Sequence, residues 1–160
     1  MSLFDLFEGL DRCAPGDAAS LARAAAGLKP TAAILDAGCG TGGDIPTLLS
    51  LAPEGQVTAV DLAPPFIEAV RRRFPTVRAE VADMTDPPGG PFDLIWSGGA
   101  IYGPGIGPAL KAWRDRLAPG GRVIFTELLA PTDDVSPEVA AFFAEEGIRS
   151  EEHTSELQSQ

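Results

Sequence analysis

The sequence predicts an α/β fold in which a mostly parallel sheet is covered by helices on both faces. From residue 31 onward, short runs rich in Val, Ile and Leu alternate with segments whose apolar residues recur at helical spacing. Gly and Pro residues separate the two kinds of segment, as expected for turns between strands and helices. The 160 residues, of which 44% are hydrophobic, suffice for one core in one globular domain.

The individual elements follow from their local patterns. Apolar runs predict strands over residues 32–36, 56–61, 77–81, 92–96 and 122–127. Helical spacing of apolar residues predicts helices over residues 42–51, 64–74, 106–117 and 136–146. The pair Pro64-Pro65 opens the second of these helices, and Pro75 closes it. Before them, residues 1–28 hold two short helical patterns, the second of which is capped by Asp17.

Charge and cysteine content exclude several classes of function. The formal net charge is -11 and the pI is about 4.4, so nucleic acid is not a predicted partner. The two cysteines and the single histidine form no metal-ligand spacing and no histidine-based triad, so no metal is predicted. No apolar run reaches the roughly 20 residues of a membrane helix, and the N-terminus lacks the basic residues of a signal peptide. We therefore expect a cytoplasmic protein without a membrane partner.

One stretch carries the strongest functional signal, because a predicted strand ending at Asp36 runs into a glycine-rich turn and then a helix. Gly38, Cys39 and Gly40 form the turn, where glycine lets the backbone adopt positive φ and approach a ligand closely. With Gly43 they match G-x-G-x-x-G, which is a weak signal because NAD and FAD binders share it. Asp36 would repel a pyrophosphate but would accept a hydrogen bond from an ammonium group. It therefore favours an amino-acid nucleoside over a dinucleotide.

Four further motifs follow in chain order, in or next to strands two to five. They are Asp61-Leu62 after strand two, Asp83-Met84 after strand three, Phe92 to Ser97 in strand four and Ala118 to Gly121 before strand five. Together with the glycine-rich turn, this set resembles the class I S-adenosylmethionine (SAM)-dependent methyltransferase family over residues 31–127. The resemblance implies a Rossmann-like three-layer sandwich with strand order 3-2-1-4-5. It also implies SAM as the cofactor and S-adenosylhomocysteine as its product.

The resemblance further implies how the cofactor is held. Asp61 would bind both ribose hydroxyls, with Leu62 against the adenine. Asp83 would bind the adenine amino group, and the backbone N–H of Met84 would bind a ring nitrogen. The predicted cofactor-binding residues are Asp36, Gly38, Cys39, Gly40, Asp61, Leu62, Asp83, Met84, Ser97, Gly98 and Arg12.

Several side chains have more than one interpretation. Ser97 and Tyr102 lie just past strand four, where open α/β sheets bind ligands, and are candidates for the substrate pocket; for Tyr102, packing is an equal alternative. Arg12 would reach the cofactor carboxylate if the N-terminal helices fold over the site as a lid, and solvent exposure is the alternative. Cys39 is interpreted as a packing residue rather than a reactive thiol, and Trp113 as a core residue. No catalytic residue is assigned.

The predicted function is transfer of the methyl group to a small-molecule nucleophile by in-line displacement. Because the sulfonium is already activated, the protein mainly supplies alignment and exclusion of water. The loop over residues 97–103 lacks the Asn/Asp-Pro-Pro-Tyr pattern of methyltransferases that act on adenine or on protein glutamine. Two alternatives stay open, an NAD(P)-dependent Rossmann oxidoreductase and a SAM-binding fragment without catalysis.

The chain is predicted to contain three segments. Residues 1–30 form helices that cover the site, residues 31–148 form the methyltransferase core, and residues 149–160 form a non-native tail. The tail reads RSEEHTSELQS over residues 149–159 and resembles a translated sequencing adapter. The core is expected to lack the last two strands of the family fold, which would leave strand five as an exposed apolar edge. We therefore expect self-association through that edge.

Overall fold

A computed structural model of the chain describes residues 10–14, 16–127 and 136–137. The described helices are α1 (Ala18–Ala24), α2 (Ile45–Leu51), α3 (Pro64–Arg73) and α4 (Ile106–Arg114). The described strands are β1 (Ala33–Ala37), β2 (Gln56–Asp61), β3 (Arg78–Val81), β4 (Phe92–Gly98) and β5 (Leu117–Thr126). The first predicted N-terminal helix and the predicted tail lie outside the described residues, as does the predicted helix over 136–146 from residue 138 onward.

The five strands form one parallel sheet in the order β3-β2-β1-β4-β5. Strand β1 is central, and its residues Ile34 and Leu35 are fully buried, as expected for a parallel strand covered on both faces. The chain moves from β1 outward through β2 and β3, then returns to place β4 on the other side of β1. This reversal creates a crevice at the carboxyl ends of β1 and β4, where open α/β sheets bind ligands. The predicted fold class and strand order are confirmed.

Helices cover both faces of the sheet and produce three layers. On one face, α1, α2 and α3 contribute Leu21, Leu48 and Ile67 to a cluster of buried side chains. On the other face, α4 contributes Ala109 and Trp113 to a second cluster. Burial of a large apolar side chain is worth about 1.5 to 3 kcal/mol, so these residues stabilise the packing of the helices on the sheet. None of the four described helices is long and apolar enough to cross a membrane.

Strand β5 begins earlier than predicted, at Leu117 instead of Arg122. Leu117 pairs with Phe92, and Arg122 pairs two residues further along β4, so residues 118–121 form a bulge. The predicted turn is thus built into the strand, and the predicted end of the preceding helix at residue 117 was wrong because Leu117 joins the sheet. A Cβ atom at Gly121 would lie 2.6 Å from the carbonyl oxygen of Phe92, which explains the glycine at this position.

The described part of the sheet ends at β5. Among the described residues, β5 pairs with β4 and has no strand on its other side. Its residues Val123, Ile124 and Phe125 are half-buried, whereas the equivalent residues of β4 are buried. An edge strand offers unpaired backbone groups to another chain. Self-association through this edge stays a prediction.

Candidate functional site

Three carboxylates lie at the carboxyl ends of neighbouring strands. Asp36 is the fourth residue of β1, Asp61 is the last residue of β2, and Asp83 follows the end of β3 by two residues. Because these strands are adjacent and parallel, their carboxyl ends meet at one edge of the sheet. We call Asp36 and the nearby Asp44 the closed end of the site, and the segments Asp61-Leu62 and Asp83-Met84 its open end.

The glycine-rich turn is attached to β2 by its backbone. The N–H groups of Gly38 and Cys39 both donate to the carbonyl oxygen of Val60, at 2.9 Å each. The N–H of Gly40 donates to Oδ2 of Asp61, also at 2.9 Å. Gly38 has φ +77, and a Cβ atom built on it would lie 2.4 Å from the Cβ of Ala100. The turn therefore needs glycine at position 38 for both conformation and space.

Asp61 supports the turn but keeps capacity for a ligand. Its Oδ1 accepts from the N–H of Ala63 at 2.9 Å, while its Oδ2 accepts from Gly40. A carboxylate has about four acceptor positions, so each oxygen of Asp61 can accept one more hydrogen bond. Leu62 beside it is 68% exposed, which leaves an apolar surface open at this end of the site.

Asp83 is held as an anion by a local turn. Its Oδ1 accepts from the backbone N–H of Thr85 at 2.8 Å and from the Thr85 hydroxyl at 2.7 Å. These hydrogen bonds, the backbone one first, lower the pKa of Asp83. The side chain is exposed, and Met84 next to it is half-buried against the cluster that contains Leu35 and Trp113. The open end thus combines an exposed carboxylate with apolar surface.

Asp36 lies in the opposite environment. Its side chain is 2% exposed, and its Oδ2 has no hydrogen-bond partner among the described residues. Desolvation by burial raises the pKa of Asp36 well above the ordinary value, and the charges of Asp44 and Asp61 raise it further, against a smaller opposing effect of Arg12. The closed end therefore contains a buried acceptor that a positively charged group would stabilise.

Residues 10–14, which we call the N-terminal strap, cover the closed end. Arg12 forms an ion pair through Nη1 with Oδ1 of Asp44. The hydroxyl of Thr41 donates to the carbonyl oxygen of Leu10 at 2.8 Å, so the strap is also attached to the glycine-rich turn. A Cβ atom at Gly43 would lie 2.6 Å from the carbonyl oxygen of Asp11. Between strap and turn remains a cavity of about 30 Å³, lined by Asp36 among others.

Asp44 joins the strap to the sheet, a role that was not predicted. Its Oδ1 pairs with Arg12, and its Oδ2 accepts from Nε1 of Trp96 in β4 at 2.9 Å. Asp44 precedes α2 directly, and the sequence offered only its position at a helix start as a signal. Successive side chains of a strand point to opposite faces of the sheet, and Trp96 of β4 points to the face on which Asp44 lies. Neither partner is near Asp44 in the sequence.

The residues at the end of β4 and in the segment that follows it have different surroundings from one another. Gly98 lines the cavity, and a Cβ atom there would lie 2.8 Å from Oδ2 of Asp44. Ser97 is fully buried, its Oγ has no partner among the described residues, and it does not line the cavity. Tyr102 is 43% exposed and also lies away from the cavity lining.

Cys39 has the properties of a packing residue. It is 8% exposed, and its thiol donates towards the carbonyl oxygen of Gly40 at 3.6 Å. Burial, and then the charges of Asp36 and Asp61, raise the pKa of its thiol well above the ordinary value. A thiol that is this difficult to ionise is a poor nucleophile. Cys13 of the strap is near the same turn, with its Sγ 3.5 Å from the hydroxyl of Thr41.

The comparison with protein families decides between the alternatives left open by the glycine-rich turn. A family model described as a methyltransferase domain matches residues 34–121, which is more than half of the chain. The chain belongs to this methyltransferase family. The match begins in β1 and ends in the bulge of β5, so it includes all three carboxylates. The resemblance to class I SAM-dependent methyltransferases is thereby confirmed, in preference to an oxidoreductase.

The chain is also similar to individual methyltransferases. The chain is 32% identical to trans-aconitate 2-methyltransferase of Methylobacterium nodulans over 59% of its own length and 37% of that protein. It is 30% identical to ribosomal protein L11 methyltransferase of Burkholderia thailandensis over 73% of its own length and 38% of that protein. The solved structure of SAM-bound CalS10, an amino pentose methyltransferase from Micromonospora echinaspora, is 31% identical with a TM-score of 0.61. That match covers 71% of this chain and 50% of CalS10, so the chain spans half or less of these relatives.

Proposed function

We propose that this methyltransferase chain binds SAM across the carboxyl ends of β1, β2 and β3 and directs its methyl group to a small-molecule nucleophile. The observation that carries the proposal is the placement of Asp36, Asp61 and Asp83 along one edge of the sheet, beside a glycine-rich turn. An adenosine linked to an amino acid needs acceptors for its ribose hydroxyls, its adenine amino group and its ammonium. The three carboxylates supply one acceptor for each.

The chemistry of the open end fits the adenosine part. Asp61 has a free acceptor position on each oxygen for the two ribose hydroxyls. Asp83 uses only Oδ1 in its local turn, which leaves Oδ2 to accept from the adenine amino group. The exposed side chain of Leu62 and the half-buried Met84 offer apolar contacts to the base.

The chemistry of the closed end fits the amino-acid part. Asp36 presents an unpartnered buried oxygen, and an ammonium there would compensate the repulsion among Asp36, Asp44 and Asp61. Gly38, Cys39 and Gly40 form the wall of the turn, and Gly98 lines the cavity across from it, with Ser97 next to it in β4. When bound, the cofactor supplies a sulfonium-activated methyl group, while this chain supplies alignment and exclusion of water.

The N-terminal strap is proposed to act as the lid over this end. The cavity of about 30 Å³ beneath it is enclosed by the strap and the turn, and we propose that the strap moves to admit the amino-acid part of the cofactor. Arg12 is proposed to exchange part of its pairing with Asp44 for the carboxylate of the cofactor. The exchange keeps the guanidinium paired, because its fork of N–H donors can bridge two carboxylates.

A small molecule is the proposed methyl acceptor. The names of two relatives above denote small molecules, trans-aconitate and an amino pentose, whereas a third denotes a ribosomal protein. The net charge of -11 disfavours acidic macromolecules such as nucleic acids as partners. Ser97 and Tyr102 are proposed to border the acceptor. We also propose a cytoplasmic location.

Calorimetric titration of S-adenosylhomocysteine tests the proposal. Asp61→Ala is expected to weaken binding about 10- to 150-fold, because the ribose hydroxyls lose a charged acceptor worth roughly 1.5 to 3 kcal/mol. Asp115→Ala is the matched control, since Asp115 is an exposed carboxylate that follows α4 and precedes β5, at the opposite edge of the sheet. A wild-type chain that does not bind S-adenosylhomocysteine overturns the proposal, and equal affinities of the wild type and Asp61→Ala overturn the ribose assignment.

A further inference from the structure

The side chain of Trp113 makes one polar contact in an otherwise apolar environment. It belongs to α4, is fully buried and packs in the cluster with Leu35 and Ile95, as predicted for a core residue. Its indole Nε1 also donates a 2.7 Å hydrogen bond to the backbone carbonyl oxygen of Met84. Because buried indole N–H groups require an acceptor, this bond ties α4 to the segment that follows β3.

The peptide groups on both sides of Met84 are fixed by this arrangement. The carbonyl oxygen of Asp83, which belongs to the peptide before Met84, accepts from the N–H of Asp86 at 3.0 Å. The carbonyl oxygen of Met84, which belongs to the next peptide, accepts from Trp113. Since a peptide group is planar, the first bond sets the direction in which the N–H of Met84 points, and the second restricts rotation about the Met84 backbone.

The side chain of Asp83 is fixed independently by Thr85. Two hydrogen bonds to Oδ1 hold the carboxylate in one orientation and leave Oδ2 available. The N–H of Met84 has no acceptor among the described residues. A fixed acceptor and a fixed donor therefore lie on consecutive residues at the open end of the site.

We propose that Trp113 is a positioning residue that makes this segment selective for a 6-aminopurine. The proposal rests on the proposed function, in which Asp83 and Met84 bind the base. A 6-aminopurine presents an amino donor and a ring-nitrogen acceptor side by side, which match the carboxylate and the N–H. A 6-oxopurine presents a carbonyl oxygen and a ring N–H, which place acceptor against acceptor and donor against donor. Discrimination requires that the Met84 N–H keeps its direction. The Asp86 bond sets that direction, and the Trp113 bond holds the following peptide so that the Met84 backbone cannot rotate.

The test compares the affinities of S-adenosylhomocysteine and S-inosylhomocysteine for wild type, Trp113→Phe and Trp96→Phe by calorimetry. The two ligands differ only at the base, so general damage to the fold weakens both by the same factor. We expect the wild type to prefer the adenosine compound by a factor on the order of 100, because two hydrogen bonds are replaced by mismatches. Trp113→Phe should reduce this preference to about 10 or below, whereas Trp96→Phe, which removes an indole donor at the closed end, should retain it.

A second variant covers the case in which Trp113→Phe does not fold. Replacing Trp113 by 3-benzothienylalanine keeps the shape of the ring and removes only the N–H, and it should reduce the preference in the same way. A preference that stays at the wild-type value in either folded variant overturns the inference while leaving the proposed function intact. A wild-type chain that binds neither ligand overturns the proposed function and the inference together.

Discussion

Asp36 and Asp83 are the same residue type at the carboxyl ends of strands in one sheet, yet their environments have opposite effects. Asp36 is buried beside two other carboxylates, and its pKa is raised well above the ordinary value. Asp83 is exposed, accepts two hydrogen bonds from Thr85, and has a lowered pKa. Burial therefore disfavours the charged form of Asp36, whereas the hydrogen bonds from Thr85 favour the charged form of Asp83.

The difference agrees with the proposal that the two ends bind different parts of the cofactor. A positively charged group is stabilised most where a buried acceptor lacks a partner, which is the situation of Asp36. In the proposed function a base is bound by Asp83 and Met84, which are each held by a hydrogen bond to another residue. Under the proposed function, the closed end would bind a charged group and the open end would bind a base through its hydrogen-bond pattern.

The largest expected effect comes from adding a side chain to the glycine-rich turn. Gly38→Ala should weaken S-adenosylhomocysteine binding more than about 100-fold, because the added Cβ meets Ala100 at 2.4 Å and the residue has φ +77. Gly27→Ala is the control, since Gly27 has φ +83 but nothing lies within 4 Å of its added Cβ. The control should lose only about 1 to 2 kcal/mol of stability and keep its affinity. Similar affinities of the two variants in calorimetry would show that the turn can accommodate a Cβ atom at position 38.

A smaller effect is expected from removing the strap's ion pair. Arg12→Met should lower the free energy of unfolding by about 1 to 3 kcal/mol, because Asp44 is left buried without its cation. Arg78→Met removes the cation of the Arg78–Glu80 pair, in which both side chains are more than a third exposed, and should cost less than about 1 kcal/mol. Urea denaturation measures both changes. Equal losses would contradict the distinction between the buried and the exposed pair.

The two carboxylates themselves should make stability depend on pH, with a change per pH unit that is smaller than the effects above. Above about pH 4 the unfolded chain has lost the Asp36 proton that the folded chain keeps, so stability falls as pH rises until pH passes the raised pKa. One proton gives a slope of at most about 1.4 kcal/mol per pH unit. Asp36→Asn should remove that slope in urea denaturation between pH 4 and pH 8.

Asp83 has the opposite sign and serves as the comparison. Its lowered pKa contributes stability that is present above about pH 4 and is lost as pH falls through the folded-state value. Asp83→Asn should therefore leave the profile above pH 4 unchanged and reduce the loss of stability below it. A wild-type slope above pH 4 that persists in Asp36→Asn would contradict the environment assigned to Asp36.

Local patterns in the sequence determined most of the architecture. Alternating apolar runs and helical spacing predicted the strands β1 to β4 within two residues at each end, because period and turn residues are properties of neighbours along the chain. The order of the sheet and the methyltransferase family came from the resemblance of the motifs, and both are confirmed. The early start of β5 was missed, since the pairing of Leu117 with Phe92 depends on residues far apart in the sequence.

The sequence alone determined which residue types stand at the strand ends: three carboxylates, a glycine-rich turn and an acidic chain. Only the tertiary structure decided how those residues differ. It buried Asp36 next to Asp44, paired Asp44 with Arg12 and Trp96, and joined Trp113 to Met84. Burial and hydrogen bonding between distant residues exist only after the layers pack, so the ionisation and orientation of each carboxylate are properties of the fold rather than of the motif.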